Sequence, residues 1–184
     1  MMKIIKDEVL KETDQTQFVE TTFEDEKGEE NSWSWIRRTG DKNAVIVVAI
    51  VGDKIVAQRE YRVPVKKVIW QFPAGIIEKN ELPEVAGARE LEEETGLTIK
   101  KILRKATPTL YSSAGITNEG VNFLFVEAEG TLTIKNQENT ENIKPVLLSQ
   151  EDVRSLLDDL ENNEMESKAY LVLDRFADTG KVIG

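Results

Sequence analysis

The chain has 184 residues, 40% of them hydrophobic and 32% charged, which gives enough apolar material for one sizeable core and argues against wholesale disorder. Its formal net charge of -10 disfavours nucleic acid and anionic membrane as partners, because both attract basic surface. With no cysteine and no histidine it has no disulfide, no thiolate or imidazole metal ligand and no histidine base, so any hydrolytic chemistry falls to carboxylates, Lys, Tyr, Ser or Thr.

The opening MMKIIKDEVL lacks the long apolar run of a signal peptide, and no segment approaches the ~18 apolar residues of a membrane span. A cytoplasmic protein is therefore expected. Within residues 1–42 the alternating stretches TQFVETTFED and NSWSWIRR predict antiparallel strands. Trp33 and Trp35, two apart on such a strand, face the same side, either as a stacking platform or as core or interface packing. AVIVVAIV (44–51) is a continuous apolar run and predicts a buried strand. VGDK then reads as a hairpin turn into a second strand, IVAQREYRV. VIWQFPAG (68–75) predicts a short strand ended by Pro73 and Gly75, with Trp70 in the core.

Residues 83–95 predict a helix, with Pro83 suited to its first turn and Gly96 to a left-handed stop. IKKILRKA, VNFLFVEAEG (121–130) and KPVLLS follow as strands. SQEDVRSLLDDLE carries a candidate cap at Ser149 and apolar residues at helical spacing, namely Val153, Leu156, Leu157 and Leu160. EMESKAYLVLDRFAD reads as a final helix. No repeat or low-complexity linker divides the chain, so one domain of α+β class is expected, with an N-terminal strand region (1–42) and a core with C-terminal helices (43–184).

The helix over 83–95 contains RELEEETGL, Arg89 to Leu97. At ~100° per residue, Glu90, Glu93 and Glu94 fall within an arc of roughly 100°, whereas Glu92 lies on the far side. Leu91, Thr95, Ala88 and Val85 are expected to form the core face. Ala86 and Gly87, both small, sit on the carboxylate side, and a glycine inside a helix implies a steric reason. Like charges at i,i+3 and i,i+4 repel, and carboxylates near a helix C-terminus oppose its dipole. Arg89, four residues before Glu93, can relieve one of them. Two readings follow from the residues alone: a solvated acidic face, or a hard-oxygen site for Mg²⁺, Mn²⁺ or Ca²⁺.

The wider pattern favours the second reading. Gly75, five residues, Glu81, seven residues, then Arg89-Glu90-Leu91-Glu92-Glu93-Glu94-Thr95-Gly96-Leu97 resembles the Nudix box, G-x5-E-x7-R-E-U-x-E-E-x-G-U, with every specified position filled. The resemblance implies an α/β/α Nudix sandwich around a mixed sheet. It implies metal ligation by Glu90, Glu93, Glu94 and the carbonyl of Ala74, with Glu93 and Glu94 also catalytic. Arg89 would orient a box glutamate, and Gly75 and Gly96 would be structural. Family members cleave a nucleoside diphosphate linked to another moiety, with Mg²⁺ or Mn²⁺.

The flanks narrow the substrate. REYRVPVKKVIWQFPAGIIEKNE resembles the segment entering the box in ADP-ribose pyrophosphatases and related nucleotide-sugar hydrolases, usually Q-Y/F-R followed by W-E-x-P-A-G. Arg62 would match an arginine contacting the diphosphate or neighbouring acidic groups. YSSAGITNEG resembles the S-P-G-x-x-x-E loop of that subclass, with Ala114 in place of Pro, and Glu119 would contact the terminal ribose. NQENTENIKPVLL corresponds to an acidic E-x-E-x-(I/V) segment. Glu141 aligns with its second Glu, Asn139 replaces the first and Glu138 lies one position off, so the general base is Glu138 or Glu141. In this subclass the N-terminal strands help form a homodimer, and aromatics there, here Trp33 and Trp35, can stack on adenine.

Two departures widen the substrate range: Glu60 begins the E-Y-R triplet, and Gln71 stands where the subclass commonly has Glu. W-Q-F-P also occurs in Nudix enzymes acting on dinucleoside polyphosphates and capped RNA. The expectation is hydrolysis of ADP-ribose to AMP and ribose 5-phosphate, or of a related nucleotide sugar. The alternatives are a dinucleoside polyphosphate or another nucleoside-diphosphate derivative, and, outside catalysis, a nucleotide-binding sensor on the same fold.

Overall fold

Alternation in the N-terminal region builds a three-stranded antiparallel sheet: β1 (Lys3–Glu12), β2 (Thr16–Glu24) and β3 (Glu30–Arg38), in that order. The computed structural model of the chain describes residues 1–40, 42–134 and 142–184. β1 was not foreseen. Every one of its residues is exposed, so no buried face imposed a period on its sequence. β2 carries the sheet's one fully buried apolar side chain among the described residues, Val19.

The second sheet holds β4 (Ala44–Val51), β5 (Lys54–Arg62), β6 (Lys67–Gln71), β7 (Ala74–Ile76), β8 (Thr98–Tyr111), β9 (Gly120–Glu129) and β10 (Ile143–Leu148). Its order is β10-β5-β4-β9-β8, with β6 paired to β5 and β7 to β4. β4 and β9 run parallel and the other pairs are antiparallel, so the sheet is mixed. The expected hairpin is present: Val51 pairs with Lys54, and Gly52 takes a left-handed φ of 64° between them.

Period-two alternation along β4 separates two cores. Val45, Val47 and Ala49 pack with Val56, Leu124, Val126 and the helix α1 (Pro83–Thr95). Ile46 and Val48 pack with Phe72 and Leu148 beneath α2 (Gln150–Leu157) and α3 (Ser167–Thr179). The result is the expected α/β/α sandwich.

The helix signals acted largely as read. Pro83 opens α1, and Gly96 closes it at φ 73°, its N–H reaching the Glu92 carbonyl at 2.8 Å. The Ser149 hydroxyl accepts the Asp152 N–H, and the Asp152 carboxylate accepts the Ser149 N–H, a reciprocal cap. α2 is shorter than its apolar spacing suggests, so Leu160 lies beyond its end and is exposed. α3 begins later than expected because the preceding segment pairs with β6: Trp70 N–H donates to the Glu164 carbonyl and Glu166 N–H to the Trp70 carbonyl, both at 2.9 Å.

One expectation is corrected. The buried residues of α1 are Ala86, Gly87, Leu91, Glu94 and Thr95, whereas Val85 is exposed. The core face is therefore rotated toward the carboxylates. Gly87 does serve close approach, but to the sheet: a Cβ there would lie 2.4 Å from Leu124 Cδ1, 3.2 Å from Val47 Cγ2 and 3.3 Å from Val45 Cγ2. Gly87→Ala should overpack this core and lower stability by about 1–3 kcal/mol. Thermal unfolding should show a fall of several degrees, and an unchanged melting temperature would mean that the sheet side chains yield freely.

Candidate active site

The site forms where the chain leaves one strand pairing for another. After β6, which pairs with β5, Phe72 and Pro73 carry the chain to β4, and the Val47 N–H donates to the Pro73 carbonyl at 2.8 Å. β7 then pairs Ala74 with Ile46 and Gly75 with Val45. This sets Ala74 and Gly75 against the carboxylate side of α1.

Glu94 is only 3% exposed. Its Oε2 accepts the Ala74 N–H at 3.1 Å and the Gln58 amide Nε2 at 3.2 Å. The Glu90 carboxylate lies over Gly75 so closely that a Cβ at position 75 would come within 1.9 Å of Glu90 Cδ and Oε1. Two box carboxylates are thus folded inward against one short strand. Glu93 is half exposed, and Glu92 faces solvent, although the wheel grouped it with the residues expected to form the core face.

Arg89 binds more widely than the i,i+4 spacing implied. Its Nη1 donates to Glu90 Oε1 at 2.7 Å and Glu93 Oε2 at 3.2 Å. Nε and Nη2 donate to the two oxygens of Glu81 at 3.3 and 3.2 Å, and Nη2 also reaches the Ile76 carbonyl at 3.1 Å. The Arg89 hydrogen bonds, with a further one from the Glu78 N–H, hold the Glu81 carboxyl below the usual carboxylate range. Glu81 in turn raises the pKa of the Arg89 guanidinium, with Glu90 adding to the effect. Glu81 therefore anchors Arg89, and Arg89 arranges Glu90 and Glu93. Among the described residues, no three acidic side chains converge as a ready cation site.

Beside Ala74 and Gly75 opens a cavity of about 210 Å³. Arg62 and Glu119 both line it, so these two residues, distant in sequence, meet at the box. Arg38, Gln71 and Lys168 line it as well, and none of them was anticipated as a site residue. Arg38 forms an ion pair with Glu119, and Lys168 one with Glu166. The signal for Arg38 was slight: it is the last residue of β3, a strand read mainly for its tryptophans.

A second cavity, about 350 Å³, is lined by Trp33, Trp35, Tyr111, Gly115 and Asn118. The loop between β8 and β9 joins the two, giving Ser112 and Glu119 to the first and Ala114, Gly115 and Asn118 to the second. It is tied to β3 by the Ile36 N–H on the Ile116 carbonyl (2.8 Å) and the Trp33 indole N–H on the Gly115 carbonyl (3.2 Å). Trp33 remains exposed, and the Trp35 indole N–H is engaged by Thr21 Oγ1 at 2.7 Å. Glu138 and Glu141, the two candidates for general base, lie outside the described residues.

Comparison with known proteins assigns the family. The NUDIX domain family matches residues 40–171. The chain belongs to the Nudix hydrolase family. It is 31% identical over 189 residues to an ADP-ribose pyrophosphatase of Saccharomyces cerevisiae, covering 96% of this chain and 73% of that protein. It is 37% identical over 120 residues to an ADP-ribose pyrophosphatase of Bacillus subtilis, covering 64% of each. It is 28% identical over 151 residues to an ADP-sugar pyrophosphatase of Mus musculus, covering 77% of this chain and 65% of that one. The match thus spans less than two thirds of the latter two Nudix proteins. A crystal structure described as an ADP compounds hydrolase superposes with a TM-score of 0.73 over 95% of this chain and 92% of that one; at 22% identity it bears on the fold alone.

Proposed function

We propose that this Nudix protein hydrolyses the diphosphate linkage of ADP-ribose, or of a related nucleotide sugar, releasing AMP and a sugar phosphate. The observation that carries this reading is the single cavity in which Arg62 and Glu119 meet Ala74 and Gly75 at the Nudix helix. Arg62 suits the diphosphate, as a guanidinium matches phosphate oxygens in both charge and geometry. Glu119 suits the hydroxyls of the terminal ribose. The neighbouring cavity lined by Trp33 and Trp35 offers aromatic surface for the adenine.

The donor set suits a hard divalent cation, Mg²⁺ or Mn²⁺, by its chemistry, although its carboxylates, two of them held by Arg89, do not yet converge. It consists of oxygens only, and Gly75 leaves room for the Glu90 carboxylate that a side chain would displace. Glu90, Glu93, Glu94 and the Ala74 carbonyl would hold it. When bound, the cation supplies charge neutralisation on the diphosphate and acidifies water. Arg89 orients Glu90 and Glu93, while Glu138 or Glu141 acts as general base in a chain with no histidine. The reading includes a homodimer through the N-terminal sheet, supported by the apolar Ile4, Ile5, Val9 and Leu10 exposed on β1.

The test is incubation with ADP-ribose, other nucleotide sugars and dinucleoside polyphosphates in the presence of Mg²⁺ or Mn²⁺, followed by separation of products. AMP and ribose 5-phosphate are expected from ADP-ribose. If no ADP-linked substrate yields AMP, the substrate assignment is lost. Cleavage of dinucleoside polyphosphates alone would move it to that class, and binding without product would make the protein a sensor.

A further inference from the structure

The face of the second sheet that packs on α1 is built from Val45, Val47, Ala49, Val56, Leu124 and Val126. Gln58 interrupts it. Lying two residues beyond Val56 on β5, it points to the same face, and it is completely buried. An apolar side chain would be the ordinary occupant of such a position.

Only half of its amide is satisfied. Nε2 donates to Glu94 Oε2 at 3.2 Å, the same oxygen that accepts the Ala74 N–H. Among the described residues, Oε1 accepts no hydrogen bond. Gln71, opposite Gln58 on β6, turns its amide to Glu60 Oε2 instead. The amide cannot be turned end for end, because Oε1 would then face a carboxylate oxygen. A buried unpaired carbonyl is destabilising, so the amide as placed gives the fold little beyond its one bond. It is held in an apolar layer, and that bond goes to Glu94.

We infer that Gln58 is a positioning residue for the cation site. It fixes one oxygen of Glu94 from the sheet side, in concert with the Ala74 amide, and so sets the rotation of the carboxylate toward the cation. The inference rests on the cation site proposed above and extends it to a strand outside the box. Groups that orient a ligand from behind commonly govern metal affinity by one to two orders of magnitude.

The test is Mn²⁺ titration of the whole protein at fixed pH, with free Mn²⁺ followed by electron paramagnetic resonance. Gln58→Met keeps the length and removes the donor; Gln58→Asn keeps the amide and withdraws it by one methylene. Both should weaken Mn²⁺ binding by about tenfold or more, with circular dichroism unchanged. Wild-type Mn²⁺ affinity in either folded variant overturns the role of Gln58, and a lowered melting temperature with unchanged affinity assigns it to the fold instead. If Gln58→Met does not fold, Gln58→Asn decides. The readout does not involve ADP-ribose, so a wrong substrate assignment leaves it intact, whereas wild-type protein that binds no Mn²⁺ removes the cation site and this inference together.

Discussion

Glu94→Gln should reduce kcat/KM on ADP-linked substrates by ~10³-fold or more while the protein stays folded, a loss of about 4 kcal/mol of transition-state stabilisation. The fold should survive because the glutamine keeps a carbonyl oxygen that can accept from Ala74 N–H and Gln58 Nε2, as Glu94 Oε2 does now. What it loses is the charge, and in the proposed site Glu94 is the most deeply buried ligand, at 3% exposure. The loss has a second signature that needs no substrate. A ligand that binds only the folded state stabilises it by ~2.7 kcal/mol at a hundred times its Kd. For a domain of this size that corresponds to roughly 5–10 °C. Saturating Mn²⁺ should therefore raise the melting temperature of the wild type and leave that of the variant nearly unmoved. Equal shifts in the two would take Glu94 out of the cation site, whatever the kinetics showed.

The Nudix helix was legible in the sequence because its signals are local. Pro83, Gly96 and the RELEEETGL run each act within a few residues, and all appear where expected. Its burial was not legible. The helical wheel assumed that three carboxylates must face away from the core, whereas Glu94 is enclosed and Val85 is exposed. The missing information was held by β7, a strand of three residues that brings the Ala74 N–H to Glu94 and an uncluttered Gly75 to Glu90. Gln58 was invisible for the same reason. IVAQREYRV announces a strand, and nothing in it says that the glutamine lies opposite a helical glutamate 36 positions later. Arg62 and Glu119 were named by resemblance. Their meeting with Arg38 in one cavity depends on β3 and the β8–β9 loop, a long-range pairing that no local period encodes.

Gly75→Ala separates two uses of glycine as a space-maker, room for a carboxylate at Gly75 and room for the core at Gly87. The added methyl would lie 1.9 Å from the Glu90 carboxylate, so one of the two must move. The strand is held by its pairing to β4. The carboxylate is the end of a flexible side chain, and Arg89, which holds it at 2.7 Å, also binds Glu81 and Glu93. Glu90 should therefore swing aside with its cation partner still in reach, at little expense to the fold. The expected result is a melting temperature within a few degrees of wild type, weaker Mn²⁺ binding and a fall of ~10²-fold in kcat/KM, the scale of loss that a displacement of about 1 Å in a catalytic group produces. Gly87→Ala should do the reverse, because the side chains it meets are packed core rather than a mobile carboxylate, so stability falls and activity per folded molecule persists. Measured side by side, the two alanines test whether the position of Glu90 matters to the chemistry. Wild-type kcat/KM and Mn²⁺ affinity in Gly75→Ala would mean that it does not.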